Sequence, residues 1–201
     1  CDEYGIVMIM DEVKTGFRLA PGGAQEFFGV RGDLATYAKA LGNGFPIAAI
    51  GGSKEVMSSV GPGRTAHGGT YTGNAVGTAA ADATLDLIAQ GGVLETVEER
   101  GKALMTGMHG ILTDADIAHH MLGLPSMFGI GFSEEAPTDL RSWVKTDREL
   151  YERIMMGLVE RGAMPEIDGA EPWFLRGGLS ELDVADTLNY FEEAVKEARE
   201  A

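Results

Sequence analysis

Apolar residues run unbroken from Gly5 to Met10 and stop at Asp11. A short continuous run of this kind predicts a strand covered on both faces of a parallel sheet. Leu34 to Ala38 predicts a second strand, and Ile47 to Gly51 a third, after the turn-rich Asn43-Gly44-Phe45-Pro46. Between the first two, Thr15 to Gly23 is loop, with Pro21-Gly22-Gly23 as its turn signal, and Ala24 to Gly29 is one helical turn. Ser53 predicts an N-cap for a brief helix over Lys54 to Ser59. This rhythm of strand, loop and helix favours an α/β fold.

Further along, Ala75, Val76, Ala79, Ala80, Ala83, Leu87 and Ile88 recur at helical spacing, and their small side chains predict close packing against neighbours. Gly91-Gly92 interrupts this helix, and an amphipathic one resumes over Val93 to Leu112. The texture then changes. Leu124 to Phe132 predicts a strand, Asp147 to Arg161 a helix ended by Gly162, and Trp173 to Leu175 part of a strand. Ser180-Glu181-Leu182-Asp183 has the form of a capping box for a last helix reaching about Ala198. The pattern predicts a small second domain that starts within residues 93–115.

Composition narrows the partners. Of 201 residues, 31 are Asp or Glu and 16 are Lys or Arg, a net charge of -15 that argues against nucleic acid or an anionic membrane. The single cysteine, Cys1, excludes an internal disulfide framework and fits a reducing, cytoplasmic setting. No apolar run approaches the ~18 residues of a membrane span, and no signal-peptide pattern is present. The chain opens on Cys1 rather than Met and enters a strand almost at once, so it is expected to be part of a longer protein.

Three places carry candidate chemistry. Asp11 ends a strand, where ligands gather in open α/β sheets, and its carboxylate suits a cationic ring nitrogen. A strand-end acid also serves as a loop cap, and the residue alone leaves both roles open. Lys39 sits in an apolar neighbourhood of Leu34, Ala35, Tyr37, Ala38, Ala40 and Leu41, which predicts a buried amine able to form an imine and move a proton. A lysine that lies along the surface is its ordinary alternative. Thr70, after Gly68-Gly69, offers a hydroxyl and backbone N–H groups to a phosphate near a helix start, or simply a helix-capping turn. Together these are the parts a pyridoxal phosphate (PLP) site needs. The four histidines, at 67, 109, 119 and 120, lack metal-ligand spacing, and His119-His120 is expected in a solvated loop.

The segments Asp11-Glu12-Val13-Lys14-Thr15-Gly16-Phe17-Arg18, Ala38-Lys39-Ala40-Leu41-Gly42-Asn43-Gly44-Phe45-Pro46 and Gly68-Gly69-Thr70-Tyr71 resemble, in order and interval, the signatures of class III PLP-dependent aminotransferases. The wording around His67, and more loosely Glu171 to Leu175 with Ser180 to Asp183, is most similar to glutamate-1-semialdehyde 2,1-aminomutase-like members. The resemblance covers nearly the whole chain but only the C-terminal half of such an enzyme. It implies a fold-type I PLP transferase, with residues 1–100 in the PLP-binding large domain and 101–201 forming a small α+β C-terminal domain.

By the same resemblance Lys39 is the Schiff-base lysine, Asp11 partners the pyridine nitrogen and Val13 packs on the ring. Gly69 and Thr70 bind the cofactor phosphate, typically that of the neighbouring subunit of a homodimer. Lys14 stands where the class often has Gln or Met, near the cofactor hydroxyl. Arg176, at a predicted strand end, is a candidate carboxylate clamp or a structural ion-pair partner. The implied activity is amino-group transfer between a small-molecule amino donor and an oxo acceptor. A 2,1-aminomutase, an amino-acid racemase and a catalytically incomplete fragment are the alternatives.

Overall fold

The computed structural model describes residues 1–200, which form two compact units, Cys1–Leu94 and a second that begins at Glu95. In the first unit, β1 (Ile9–Asp11) runs parallel to β2 (Leu34–Tyr37), and β2 runs antiparallel to β3 (Ala49–Gly52), giving a mixed sheet in the order β1-β2-β3. The β1–β2 ladder is started by Asp33. Its carboxylate accepts the Met8 amide at 2.8 Å, while the Asp33 and Leu34 amides donate to the Met8 carbonyl. Three helices accompany the sheet: α1 (Gly23–Phe28), α2 (Lys54–Met57) and α3 (Ala75–Gln90). Ser53 caps α2 as expected, its hydroxyl accepting the Val56 amide at 3.2 Å.

The expectation of a strand covered on both faces is not met. Only Ile9–Asp11 joins the ladder, and Ile6, Val7 and Ile9 are exposed. β1 is the edge of a three-stranded sheet, with Met10 half-buried and Ile9 left open to solvent. The close packing expected of α3 is also largely unrealised. Gly77 and Ala81 are its buried residues, whereas Val76 and Leu87 are exposed.

The second unit is built differently. Along α4 (Val93–Asp114) the buried residues Val97, Gly101, Leu104, Met108 and Leu112 fall on one stripe, the i, i+3, i+4 spacing of a core-facing helix. β4 (His120–Leu124) and β5 (Met127–Gly131) form an antiparallel hairpin closed by Pro125-Ser126, and β6 (Trp173–Phe174) pairs with the start of β5. α5 (Leu140–Trp143), α6 (Arg148–Glu160) and α7 (Glu181–Glu200) complete it. α6 and α7 approach so closely at Gly157 that a Cβ there would lie 2.8 Å from the Ala194 Cβ.

The predicted capping box of α7 is present, with the Asp183 amide donating to the Ser180 hydroxyl and the Ser180 amide to the Asp183 carboxylate. Two predictions need correction here. Leu124 to Phe132 is not one strand, because Pro125 turns the chain and splits the apolar run into a hairpin. His120 opens β4 instead of lying in a loop, and His119 packs on His109 with ring nitrogens 2.8 Å apart.

Candidate active site

Asp11 is the last residue of β1, directly opposite Thr36 on β2. Its Oδ1 accepts the Val13 amide at 3.0 Å and the Thr36 hydroxyl at 3.2 Å. These donors fix the carboxylate, which remains exposed and keeps acceptor capacity for a further donor. Three residues beyond Thr36, Lys39 begins a single 3-10 turn, Lys39–Leu41, with φ +45°. A non-glycine residue in the left-handed region is sparsely populated and concentrates where surroundings over-determine the backbone. Here the Lys39 carbonyl accepts the amides of Gly42 and Asn43, closing the loop that follows β2. An acid and an amine thus stand at the carboxyl ends of neighbouring parallel strands, the usual position for ligand-binding groups in such sheets.

The burial expected for Lys39 is corrected by the structure: the residue is exposed. Ala35 and Leu41 of its neighbourhood are buried, whereas Lys39 opens the 3-10 turn between them as an exposed residue. Val13 and Lys14 occupy the turn after Asp11, both half-buried. Arg18 follows on the same loop, its guanidinium held below the ordinary value by burial.

Gly69 and Thr70 lie elsewhere in the first unit, exposed in the turn before α3. They line a cleft of about 580 Å³ with Pro46, Ile47, His67 and Tyr71, and neither Asp11 nor Lys39 is among its lining residues. Thr70 is not at the helix start itself. Asn74 is the N-cap, its Oδ1 accepting the Gly77 amide at 3.0 Å, and the Thr70 turn is closed by the Thr72 amide on the Gly69 carbonyl. Arg176 belongs to the second unit, where it is exposed on a cleft of about 670 Å³ and helps hold the Asp183 carboxyl below its usual range. The larger share of that lowering comes from the Ser180 amide and hydroxyl.

Sequence reasoning missed Glu12 as a structural centre. Glu12 is 1% exposed, and its carboxylate accepts the amides of Ala24 at 2.9 Å and Gln25 at 2.8 Å, together with the Thr15 hydroxyl. A threonine three residues after an acid at a strand end was the available signal, but Ala24 and Gln25 are reached only through the fold. Among the described residues no helix is long and apolar enough to cross a membrane.

Pyridoxal phosphate is chemically matched by this donor set. A fixed exposed carboxylate suits the ring nitrogen, an amine stands at the adjacent strand end, and exposed amides with a hydroxyl at Gly69 and Thr70 suit a phosphate.

Comparison with known proteins agrees with this architecture. The chain is 36% identical to a glutamate-1-semialdehyde 2,1-aminomutase from Methanothermobacter thermautotrophicus and 38% identical to one from Thermus thermophilus, covering 96% of this chain and 46% of each relative. It therefore spans about half the length of the curated relatives it matches. Among solved structures it superposes on an omega-transaminase from Sphaerobacter thermophilus with a TM-score of 0.84, at 29% identity, covering 98% of this chain and 46% of that one. The PLP internal aldimine form of the Sphingopyxis sp. MTA144 FumI protein gives a TM-score of 0.85 at 25% identity, over 100% of this chain and 45% of that one. The α/β fold is thus part of a fold-type I transferase. The aminotransferase class-III model matches residues 1–170, a span that holds both strand ends and the threonine turn, and on that match the chain belongs to the class III aminotransferase family.

Proposed function

We propose that this chain carries the cofactor-anchoring half of a PLP-dependent enzyme that transfers an amino group on an amino acid or amino-keto substrate. The observation that supports it best is the juxtaposition of Asp11 and Lys39 at the carboxyl ends of β1 and β2, with Thr36 bonded to the acid. When bound, PLP supplies an electron sink for the carbanion left as a bond to the substrate Cα breaks. Asp11 would pair with the ring nitrogen, and the Val13 amide and Thr36 hydroxyl hold its carboxylate in place for that contact. Lys39 would hold the cofactor through its amine and, once the substrate amine has displaced it, would be the base placed for the proton on the substrate Cα. Val13 and Lys14 flank the ring, and Gly69 and Thr70 take the phosphate of a neighbouring copy in a homodimer.

The test is the visible absorbance band that appears on adding PLP, followed by borohydride reduction and peptide mass analysis. The added mass is expected on Lys39, and no band is expected in Lys39→Ala. A band that survives in Lys39→Ala overturns the role of the lysine.

A second reading is a 2,1-aminomutase, favoured by curated relatives at 34–38% identity that carry that name. An amino-acid racemase shares the same machinery. Net transfer of nitrogen to an added 2-oxo acid marks the transaminase and excludes both. Arg176 as a clamp for a substrate carboxylate is the least supported assignment, since its positive charge already acts on the Asp183 carboxyl.

A further inference from the structure

Burying a carboxylate costs several kcal/mol unless hydrogen bonds replace its hydration. Glu12 is buried and has three donors around it, from Thr15, Ala24 and Gln25. Every donor demands an acceptor, and the Glu12 carboxylate offers one at each oxygen. The backbone gives way to it: Gly23 adopts φ +73°, and a Cβ there would lie 2.5 Å from Glu12 Oε2.

The same residue is fixed from its other side. Its amide donates to the Thr36 carbonyl at 2.9 Å, extending the β1–β2 ladder by one rung, and its carbonyl accepts the Gly16 amide at 2.8 Å. Glu12 is therefore clamped between β2 and the start of α1. Its neighbours on each side are Asp11 and Val13, and the Val13 amide turns back to Asp11 Oδ1.

We propose that Glu12 is the positioning residue of the site: its buried carboxylate locks the turn that aims the Val13 amide at Asp11, and so sets the direction in which Asp11 meets the cofactor. The inference rests on the reading of Asp11 as the cofactor's acid. Glu12 touches neither cofactor nor substrate and acts through Asp11.

The experiment follows the Val13 amide by proton–nitrogen spectra of the whole chain across an acid titration, with Asp11→Asn as the control that identifies the Asp11 contribution. In the parent chain the Val13 signal is expected to respond to the acid titration, and in Asp11→Asn that response is expected to be absent. In Glu12→Gln, which turns an amino group toward one of the donors, and in Gly23→Ala, which crowds Glu12 without altering it, that response is expected to disappear. The Ala24 and Gln25 amides are expected to exchange about tenfold faster or more. Thr15→Val removes one donor and no backbone contact, and Thr15→Ser keeps the hydroxyl. The first should weaken the Val13 response and the second retain it, which decides the matter if the Glu12 variant fails to fold.

A Val13 response that persists while Ala24 and Gln25 exchange rapidly overturns the proposal and leaves Glu12 as a local cap. Addition of PLP, read by absorbance, is a separate arm. Failure of the parent chain to give a band counts against the cofactor reading, whereas the Val13 response still decides the role of Glu12.

Discussion

The two units solve the problem of stability by different means. In the unit that begins at Glu95, Met108, Leu112, Phe128, Ile154, Met155, Leu158 and Phe191 are completely buried in one contiguous core. In Cys1–Leu94 the buried apolar residues are Ala24, Ala35, Leu41 and Ala81, while Tyr4, Ile6, Ile9, Phe28 and Val76 lie open. What holds the first unit near its strand ends is polar: Asp33 on the Met8 amide, Asp11 on Val13 and Thr36, and Glu12 on α1. The second unit spends its sequence on packing. The first spends it on orienting groups, and all the proposed cofactor contacts belong to it.

Truncating the core should separate the units most sharply. Phe191→Ala removes a fully buried ring from α7 and is expected to cost about 3–5 kcal/mol, read as a shift in the urea midpoint at unchanged slope. Ile9→Ala in the first unit is expected to change stability by no more than about 0.5 kcal/mol, because Ile9 is already exposed. Equal costs at the two positions would break the comparison.

A smaller effect tests a buried polar link inside the packed unit. The Tyr151 hydroxyl donates to the Glu166 carbonyl at 2.9 Å and accepts the Trp173 indole N–H at 3.1 Å. Tyr151→Phe leaves both partners unsatisfied, an expected loss of about 1–3 kcal/mol in the same urea titration. Burial pushes the Tyr151 phenol up to about 12, whereas the unfolded chain ionises near the ordinary value of about 10. The unfolded state therefore releases its proton first as pH rises. The stabilisation is complete below about pH 10 and is lost as pH climbs through about 12, and Tyr151→Phe should flatten that alkaline decline.

How far each unit could be read in advance follows the same division. Helices of the packed unit declare themselves through spacing, as with Leu104, Met108 and Leu112 on α4, and through caps such as Ser180 with Asp183. Strand breaks there were less visible, because Pro125 interrupts a run that is apolar on both sides. In the first unit the continuous apolar run at Ile6 to Met10 implied burial that its three-stranded sheet does not supply. Asp11 and Lys39 were legible as candidates from their places after apolar runs. Their neighbouring strand ends required the pairing of β1 with β2, and the hold on Glu12 required Ala24 and Gln25, twelve and thirteen residues away.

A cap tests whether the first unit's polar anchors are worth as much as they look. Asn74 holds the first turn of α3 through the Gly77 amide, at the rim of the cleft that Thr70 lines. Asn74→Ala is expected to cost about 1 kcal/mol. Faster hydrogen exchange at Gly77 than in the middle of α3 would locate the loss at the helix start, and uniform exchange along α3 would refer it to the whole unit.

The least change in stability is expected where the largest change in function is proposed. Lys39 is exposed, and alanine at the same φ of +45° meets the same backbone strain, so Lys39→Ala should move the urea midpoint by the equivalent of about 0.5 kcal/mol or less. It should nonetheless abolish the absorbance band with PLP, because among the described residues no other lysine follows the end of β2 in its turn. Lys39→Gly relieves the strain and is expected to be slightly more stable than the parent while equally unable to carry the cofactor. That opposition is the sharpest form of the comparison. If either variant destabilised the chain as Phe191→Ala does, Lys39 would be part of what holds the first unit together, and its unusual backbone would need a structural explanation instead of a chemical one.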